Sequence, residues 1–168
     1  MRAFPSSSRL SGRLAAAYYH DSYEAPLARP NLKMHEIYIA LLGHLPWWAR
    51  VLLIVRNAIV SLFGLHVESI AGVWKPKLKD RYVPGDKIVR FRLYEQDDRE
   101  IVAGRDDKHL DFRVSVLRTH ENGIEKVILS TIIFTHNVFG RFYLFFVLPF
   151  HRLGLRRLMA QAVTQGRI

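Results

Sequence analysis

The fold is decided by residues 112–152, which read FRVSVLRTHENGIEKVILSTIIFTHNVFGRFYLFFVLPFHR. Two runs rich in β-branched and aromatic residues flank Asn122-Gly123, a dipeptide typical of a two-residue β-hairpin turn. After the second run comes Asn137, a residue type that favours the N-cap of a helix, and a long apolar segment follows it. This order predicts a β-hairpin that leads directly into a long C-terminal helix.

A two-residue turn also predicts the register of the hairpin, because Glu121 then lies opposite Ile124. One face is predicted to line the core; it pairs Val116 with Leu129, Val114 with Thr131, Phe112 with Ile133, and Leu110 with Thr135. The other face is too apolar for a bare surface, so we expect the N-terminal segment or a second copy of the protein to cover it. Its apolar residues are Leu117, Ile128, Ile132 and Phe134.

The remaining elements follow from local patterns. Residues 18–27 are typical of a strand, and residues 32–42 of a short helix. Residues 47–63 have the apolar spacing of a second helix, whereas 87–95 and 99–105 alternate like strands. The order predicts an α+β helix-grip fold, in which a curved antiparallel sheet wraps a long C-terminal helix and two shorter helices follow the first strand.

Composition limits the domain count and the chemistry. The chain has 168 residues, 49% of them hydrophobic, and no cysteine, which excludes disulfides and thiolate chemistry and suits the cytoplasm. We expect one domain over residues 17–165, preceded by a flexible, basic, Ser-rich segment over residues 1–16. No stretch is convincing as a transmembrane span, because residues 47–65 contain charges and residues 142–150 are too few.

The net charge of the chain indicates which classes of partner it favours. The formal net charge is +10, and basic residues concentrate near both ends of the chain. An anionic membrane surface is therefore one candidate partner. The sequence disfavours nucleic acid, because it has no helix-turn-helix signature and no RNP aromatic pattern.

Several motifs resemble those of the bacterial domain of unknown function 2867 family. They are YYHDSYEAPL (18–27), LPWWARVLLIVRN (45–57), FGL (63–65), GRDDKHLDFR (104–113) and THNVFGRFYLFFVLPFHR (135–152). The resemblance implies a member of the helix-grip (Bet v 1/START-like, SRPBCC-like) superfamily, and it implies no particular activity. Some relatives are attached to nucleotide-dependent reductase-like domains, but no Gly-rich nucleotide-binding fingerprint follows a strand here.

One cluster of polar residues is a candidate for catalysis or anion binding. His109, Asp107 and Arg141 are expected to lie near one another where the last strand meets the helix, and together they carry groups used in acid–base chemistry. Arg141 sits in a first helical turn, where a cation is disfavoured. We therefore expect a carboxylate partner for it, from Asp106, Asp107 or Asp111, in an ion pair that fastens the helix to the sheet.

The terminal helix also suggests a ligand cavity. Pro149 should bend the helix and open space above the sheet. The expected lining is Tyr143, Phe146, Val147 and Phe150 of the helix, Leu110, Phe112 and Val114 of the sheet, and Trp48 of the second helix.

These residues favour a module that binds a small apolar or amphipathic molecule. The alternatives are an enzyme that uses the His/Asp/Arg cluster, or a basic protein that binds a membrane or a partner. A homodimer remains open. The pattern predicts no metal site and no cofactor.

Overall fold

The computed structural model describes residues 2–44 and 79–168, and it is built on one antiparallel sheet of six strands in the order β1-β6-β5-β4-β3-β2. The strands are β1 (Tyr19–Pro26), β2 (Lys87–Ile88), β3 (Phe91–Gln96), β4 (Glu100–Asp106), β5 (Leu110–Glu121) and β6 (Ile124–Thr135). The helices are a 3-10 helix (Ser11–Ala16), α1 (Met34–Leu42) and α2 (Val138–Thr164). The predicted helix at 47–63, with Trp48, lies outside the described residues.

The central hairpin confirms the register predicted from the turn. Glu121 pairs with Ile124, and all four predicted core pairs occur between β5 and β6. Asn122 and Gly123 have φ angles of 54° and 76°. A two-residue turn needs this left-handed conformation to match the strand twist, and Asn and Gly adopt it most easily.

The main core lies on the inner face of the curved sheet, beneath α1 and the C-terminal part of α2. From α1, Ile37, Tyr38 and Leu41 are fully buried. They pack with sheet residues and with late residues of α2, which include Leu158, Met159 and Ala162. The predicted α+β architecture, a curved antiparallel sheet with a long C-terminal helix of helix-grip form, is confirmed.

The start of α2 is fixed closely against the sheet. The side chain of Asn137 caps the helix, because its Oδ1 accepts a hydrogen bond from the backbone N–H of Gly140 at 3.0 Å. A Cβ on Gly140 would lie 2.2 Å from the carbonyl oxygen of His109. Only glycine therefore allows the first turn of the helix to approach the β4–β5 turn so closely.

The outer face of the hairpin is covered, as predicted. Leu117, Ile128 and Ile132 are each at most 4% exposed. Leu10, which is fully buried, packs against Ile132 in a second hydrophobic cluster. The rest of that cluster is Val102 with the partly buried Phe4, Leu14, Ala17, Tyr94 and Phe134.

The expectation that residues 1–16 form a flexible segment therefore needs correction for residues 2–16. Glu100, only 2% exposed, fastens this segment to the sheet. Its carboxylate accepts hydrogen bonds from the Ser8 hydroxyl at 2.6 Å and from the backbone N–H of Arg9 at 2.8 Å. On the sheet side, the Ser115 hydroxyl donates to it at 2.5 Å.

The single strand predicted at 87–95 is wrong, because the chain turns back within it. Ile88 of β2 pairs with Phe91 of β3, which leaves Val89 and Arg90 as the turn. Val89 has a φ of 58°, an unusual conformation for a β-branched residue. The turn directs Arg90 inward, where its guanidinium donates to the carbonyl of Leu42 at 3.0 Å and burial lowers its pKa.

Candidate functional site

Within the described residues, no hydrogen bond or ion pair links His109, Asp107 and Arg141, which were predicted to form one cluster. His109 is contacted through its Nδ1 by the side-chain amide of Asn137 at 2.9 Å. Asp107 is an exposed residue of the β4–β5 turn. Arg141 is exposed, with its guanidinium 5.7 Å from the ring centroid of Tyr18.

The expected carboxylate partner of Arg141 is also wrong. Asp111 lies 3.1 Å from Nε2 of His136, and Asp106 lies 2.5 Å from the guanidinium of Arg113. Among the described residues, Arg141 forms no ion pair. An exposed guanidinium remains hydrated, so the first turn of α2 accommodates it without a buried counter-charge.

Five of the residues expected to line a cavity are at least partly buried. Leu110, Phe112 and Val114 lie on the inner face of β5, and Val114 is buried. Tyr143 and Val147 of α2 are partly buried.

Phe146 and Phe150, which are also among the expected cavity residues, are 54% and 53% exposed. Trp48 lies outside the described residues. Two open grooves, of about 520 and 450 Å³, lie beside the end of α2 and beside α1, and neither is lined by these residues. A cavity between the sheet and α2 stays a prediction.

A different polar cluster lies between β1 and α2, centred on Asp21, which is 1% exposed. The hydroxyls of Tyr19 and Tyr23 donate to its Oδ2 at 2.7 and 3.2 Å. Nε2 of His151 lies 3.4 Å from the same oxygen, an ion-pair distance without hydrogen-bond geometry. Arg152 donates from Nε to the Tyr19 hydroxyl at 3.1 Å.

Two elements far apart in sequence build this cluster. Alternation along β1 places Tyr19, Asp21 and Tyr23 on the inner face of the sheet. The long helix then crosses this face and brings His151 and Arg152 onto it. His151 and Arg152, which directly follow the apolar residues 142–150, thus lie beside the buried carboxylate of Asp21 and its partner Tyr19.

The cluster contains three buried polar atoms without a hydrogen-bond partner: Asp21 Oδ1, Thr131 Oγ1 and His151 Nε2. Thr131 lies directly opposite Asp21 in the β1–β6 register, so both side chains project from the same part of the inner face. Buried polar atoms in folded proteins are nearly always satisfied, and an unsatisfied one is unfavourable. Nε2 of His151 is at ion-pair distance from Asp21 Oδ2, so the atoms with no polar partner are Asp21 Oδ1 and Thr131 Oγ1. Two such atoms side by side indicate a site that a polar group can complete.

The electrostatics keep Asp21 ionised and the tyrosines neutral. Burial alone would raise the pKa of Asp21, but His151 and the two tyrosine hydroxyls together lower it below its usual value. Burial raises the pKa of Tyr19 to about 12, and it raises that of Tyr23 still more. The site therefore presents a carboxylate with one occupied and one free oxygen.

Apolar side chains adjoin this polar site toward the start of α2. Tyr19 also belongs to a small hydrophobic cluster with the buried Ile133 and Leu144. Around that cluster, Leu110, Phe112, Tyr143 and Leu148 are only partly buried. The polar site at Asp21 and a partly buried apolar cluster thus lie side by side. Three residues of the apolar cluster, Leu110, Phe112 and Tyr143, are among the predicted cavity residues.

Sequence reasoning missed Asp21, His151 and Thr131. One signal was present: in YYHDSYEAPL, an aspartate occupies a core-facing position between two tyrosines at alternate positions. An ionisable residue at such a position needs partners or a function. In the described part of the chain, no three His, Cys, Asp or Glu residues are grouped to hold a metal ion.

The fold and the site define an α+β protein of helix-grip form with a buried, partly unsatisfied carboxylate between sheet and terminal helix. The family model described as "Protein of unknown function (DUF2867)" matches residues 13–158. The chain belongs to this family, which confirms the resemblance seen in its motifs. No curated protein and no solved structure matches the sequence significantly.

Proposed function

We propose that the protein binds a small amphipathic molecule between β1 and α2, with the polar end of the molecule at Asp21. The observation that carries the proposal is the buried Oδ1 of Asp21, which has no hydrogen-bond partner, beside the equally unsatisfied Oγ1 of Thr131. Nε2 of His151 lies 3.4 Å from the other carboxylate oxygen and completes the polar surroundings of the site. Binding sites of this kind are mostly apolar and have a few convergent polar groups that orient the ligand.

The state of Asp21 selects the polar group of the ligand. Both tyrosine hydroxyls already donate to Oδ2, so Oδ1 is the oxygen left to accept a hydrogen bond. A hydroxyl or an ammonium group can donate to it. A carboxylate ligand would instead place a second negative charge next to Asp21, which is unfavourable in a buried site.

The apolar part of the ligand would lie along Leu110, Phe112 and Tyr143, the partly buried side chains beside Tyr19. Covering them removes further apolar surface from water, which favours binding in proportion to the area. Polar and apolar contacts together favour a molecule with one donor group on a hydrocarbon body.

A displacement assay tests this proposal. An uncharged fluorescent dye, N-phenyl-naphthylamine, bound to the protein is displaced with dodecylamine, dodecanol or dodecanoate, each kept below its micelle concentration or solubility limit. We expect the amine and the alcohol to displace the dye at lower concentrations than the carboxylate. Equal displacement by all three compounds would contradict the proposed role of Asp21.

Variants locate the binding. A hydrogen bond to a charged group is worth about 1.5–3 kcal/mol, so Asp21→Asn should weaken dodecylamine binding about 10- to 100-fold. The matched control is Asp98→Asn in the exposed turn before β4, and it should bind like the unmodified protein. If Asp21→Asn proves too unstable to measure, Thr131→Val, which is similar in shape, takes its place. This variant should weaken dodecanol binding. Unchanged binding in both site variants would refute the proposal.

A further inference from the structure

The side of α2 that faces solvent is apolar. Phe145 is 74% exposed, and 47–59% of each of its apolar neighbours along this side is exposed. The residues are Phe142, Phe145, Phe146, Phe150 and Leu153, here termed the phenylalanine face. The ring centroids of Phe142 and Phe145 lie 5.0 and 5.2 Å from that of Phe146, so these side chains form one continuous patch. Continuous exposed apolar patches usually mark a surface that binds something.

The phenylalanine face lies on the opposite side of the helix from the residues that hold α2 to the sheet. Leu144, Leu158 and Met159 are buried on that inner side. Within the described residues, α2 is the one helix long and apolar enough to cross a membrane by length and composition. Crossing would require the helix to leave the sheet, whereas lying flat on a membrane would not.

The charges beside the face have one sign. Helix α2 contains no Asp or Glu, and it carries four arginines. They are Arg141, Arg152, Arg156 and Arg157, of which Arg152 bonds Tyr19 at the edge of the helix next to the sheet. A helix with a large apolar face and basic flanks is typical of helices that lie in the interface of an anionic bilayer.

We propose that the phenylalanine face docks α2 onto an anionic lipid bilayer, with the helix parallel to the membrane plane. A second copy of the chain is the less suitable occupant. A twofold dimer would place the same face against itself and bring the positive charge of both helices together, with no carboxylate from either helix to offset it. The proposal concerns the surface opposite to Asp21, so it does not depend on the proposed ligand site.

Sedimentation with lipid vesicles tests the docking. The full chain is mixed with vesicles of phosphatidylcholine alone, or of phosphatidylcholine with phosphatidylglycerol, at low and at high salt. We expect it to sediment with the anionic vesicles and to bind them more weakly at high salt, because salt screens the arginines. Equal sedimentation with both kinds of vesicle would overturn the proposed preference for anionic lipid.

Matched variants separate the apolar and the charged contributions. Phe142→Gln with Phe146→Gln should weaken partitioning at least tenfold, because two aromatic side chains would no longer enter the bilayer. Ile124→Gln is the control, since Ile124 is 53% exposed at the end of the hairpin, away from α2. Arg141→Gln should reduce binding to anionic vesicles, and Arg99→Gln, on the exposed turn before β4, should not.

Two further outcomes would identify a different occupant of the phenylalanine face. A dimer on size-exclusion chromatography that the double phenylalanine variant dissociates would assign the face to a second copy and overturn the proposal. A monomer that binds neither kind of vesicle would also overturn the proposal, and it would indicate that another part of the same chain covers the phenylalanine face. Asp21→Asn should leave vesicle binding unchanged, so that a failed ligand site and a failed membrane surface are told apart.

Discussion

Glu100→Gln is expected to destabilise the protein strongly, because this buried carboxylate accepts three short hydrogen bonds. A glutamine oxygen can still accept from Ser8 and Ser115, but its amide group then meets the backbone N–H of Arg9. One buried donor left unsatisfied costs about 1–3 kcal/mol, and the remaining bonds weaken when the charge is lost. The expected loss in free energy of unfolding is therefore about 3 kcal/mol.

Thermal denaturation measures this loss. For a chain of this size, 1 kcal/mol corresponds to about 2–4 °C, so the midpoint should fall by about 6–12 °C. The control is Asp98→Asn, an exposed acid in the same turn region, which should shift the midpoint by less than about 2 °C. Hydrogen exchange of residues 2–16 should also accelerate more than that of β5 and β6. Equal midpoints for the two variants would refute the reasoning that Glu100 fastens the N-terminal segment.

Three further predictions concern a surface charge, an acid titration and the hairpin turn. Arg141→Ala should change the free energy of unfolding by no more than about 0.5 kcal/mol, since its guanidinium is exposed; a loss of several kcal/mol in urea unfolding would reveal a buried partner. The pKa of Asp21 is lowered in the folded protein, so its ionisation contributes stability above about pH 4 that is lost as pH falls through the folded pKa. Urea unfolding of Asp21→Asn should therefore lose less stability on acidification than the unmodified protein, and parallel pH curves would contradict this. Gly123→Ala should cost about 1 kcal/mol, because φ is 76° there, whereas Gly12→Ala, at an open position without positive φ, should be neutral or stabilising in thermal melts.

Local chemistry made the hairpin and the start of α2 predictable from the sequence. Asn122-Gly123 requires only neighbouring residues to form its turn, and the register of β5 and β6 follows from it. Asn137 caps α2 through a backbone group three residues away. The covered outer face followed from its composition, since its large apolar side chains, Ile128 and Ile132 among them, are too many for a bare surface.

The candidate site was not predictable in the same way, because its residues meet only in the folded protein. Tyr19 and Arg152 are 133 positions apart. Nothing in the linear pattern shows that Asp111 pairs with His136. Because of this pairing, Asp111 is not the carboxylate partner that was expected for Arg141. The N-terminal segment was misjudged for a similar reason. Its Ser-rich, basic composition is typical of a solvated tail, but Ser8 and Arg9 bind a buried acid that lies about 90 residues later in the chain.

The position of β1 at the edge of the sheet has a consequence for how the protein folds during synthesis. Its only neighbour in the described sheet is β6, so the first strand of this sheet to be synthesised must wait for the last strand of the same sheet. Until residue 135 has emerged, the acid and tyrosines of β1 have no strand to pair with, and residues 2–16 have no completed surface to cover. Contacts this distant in sequence form slowly, and unpaired strands aggregate readily. We therefore expect the β2–β5 meander to form first, and both faces of the sheet to close only after β6 has been synthesised.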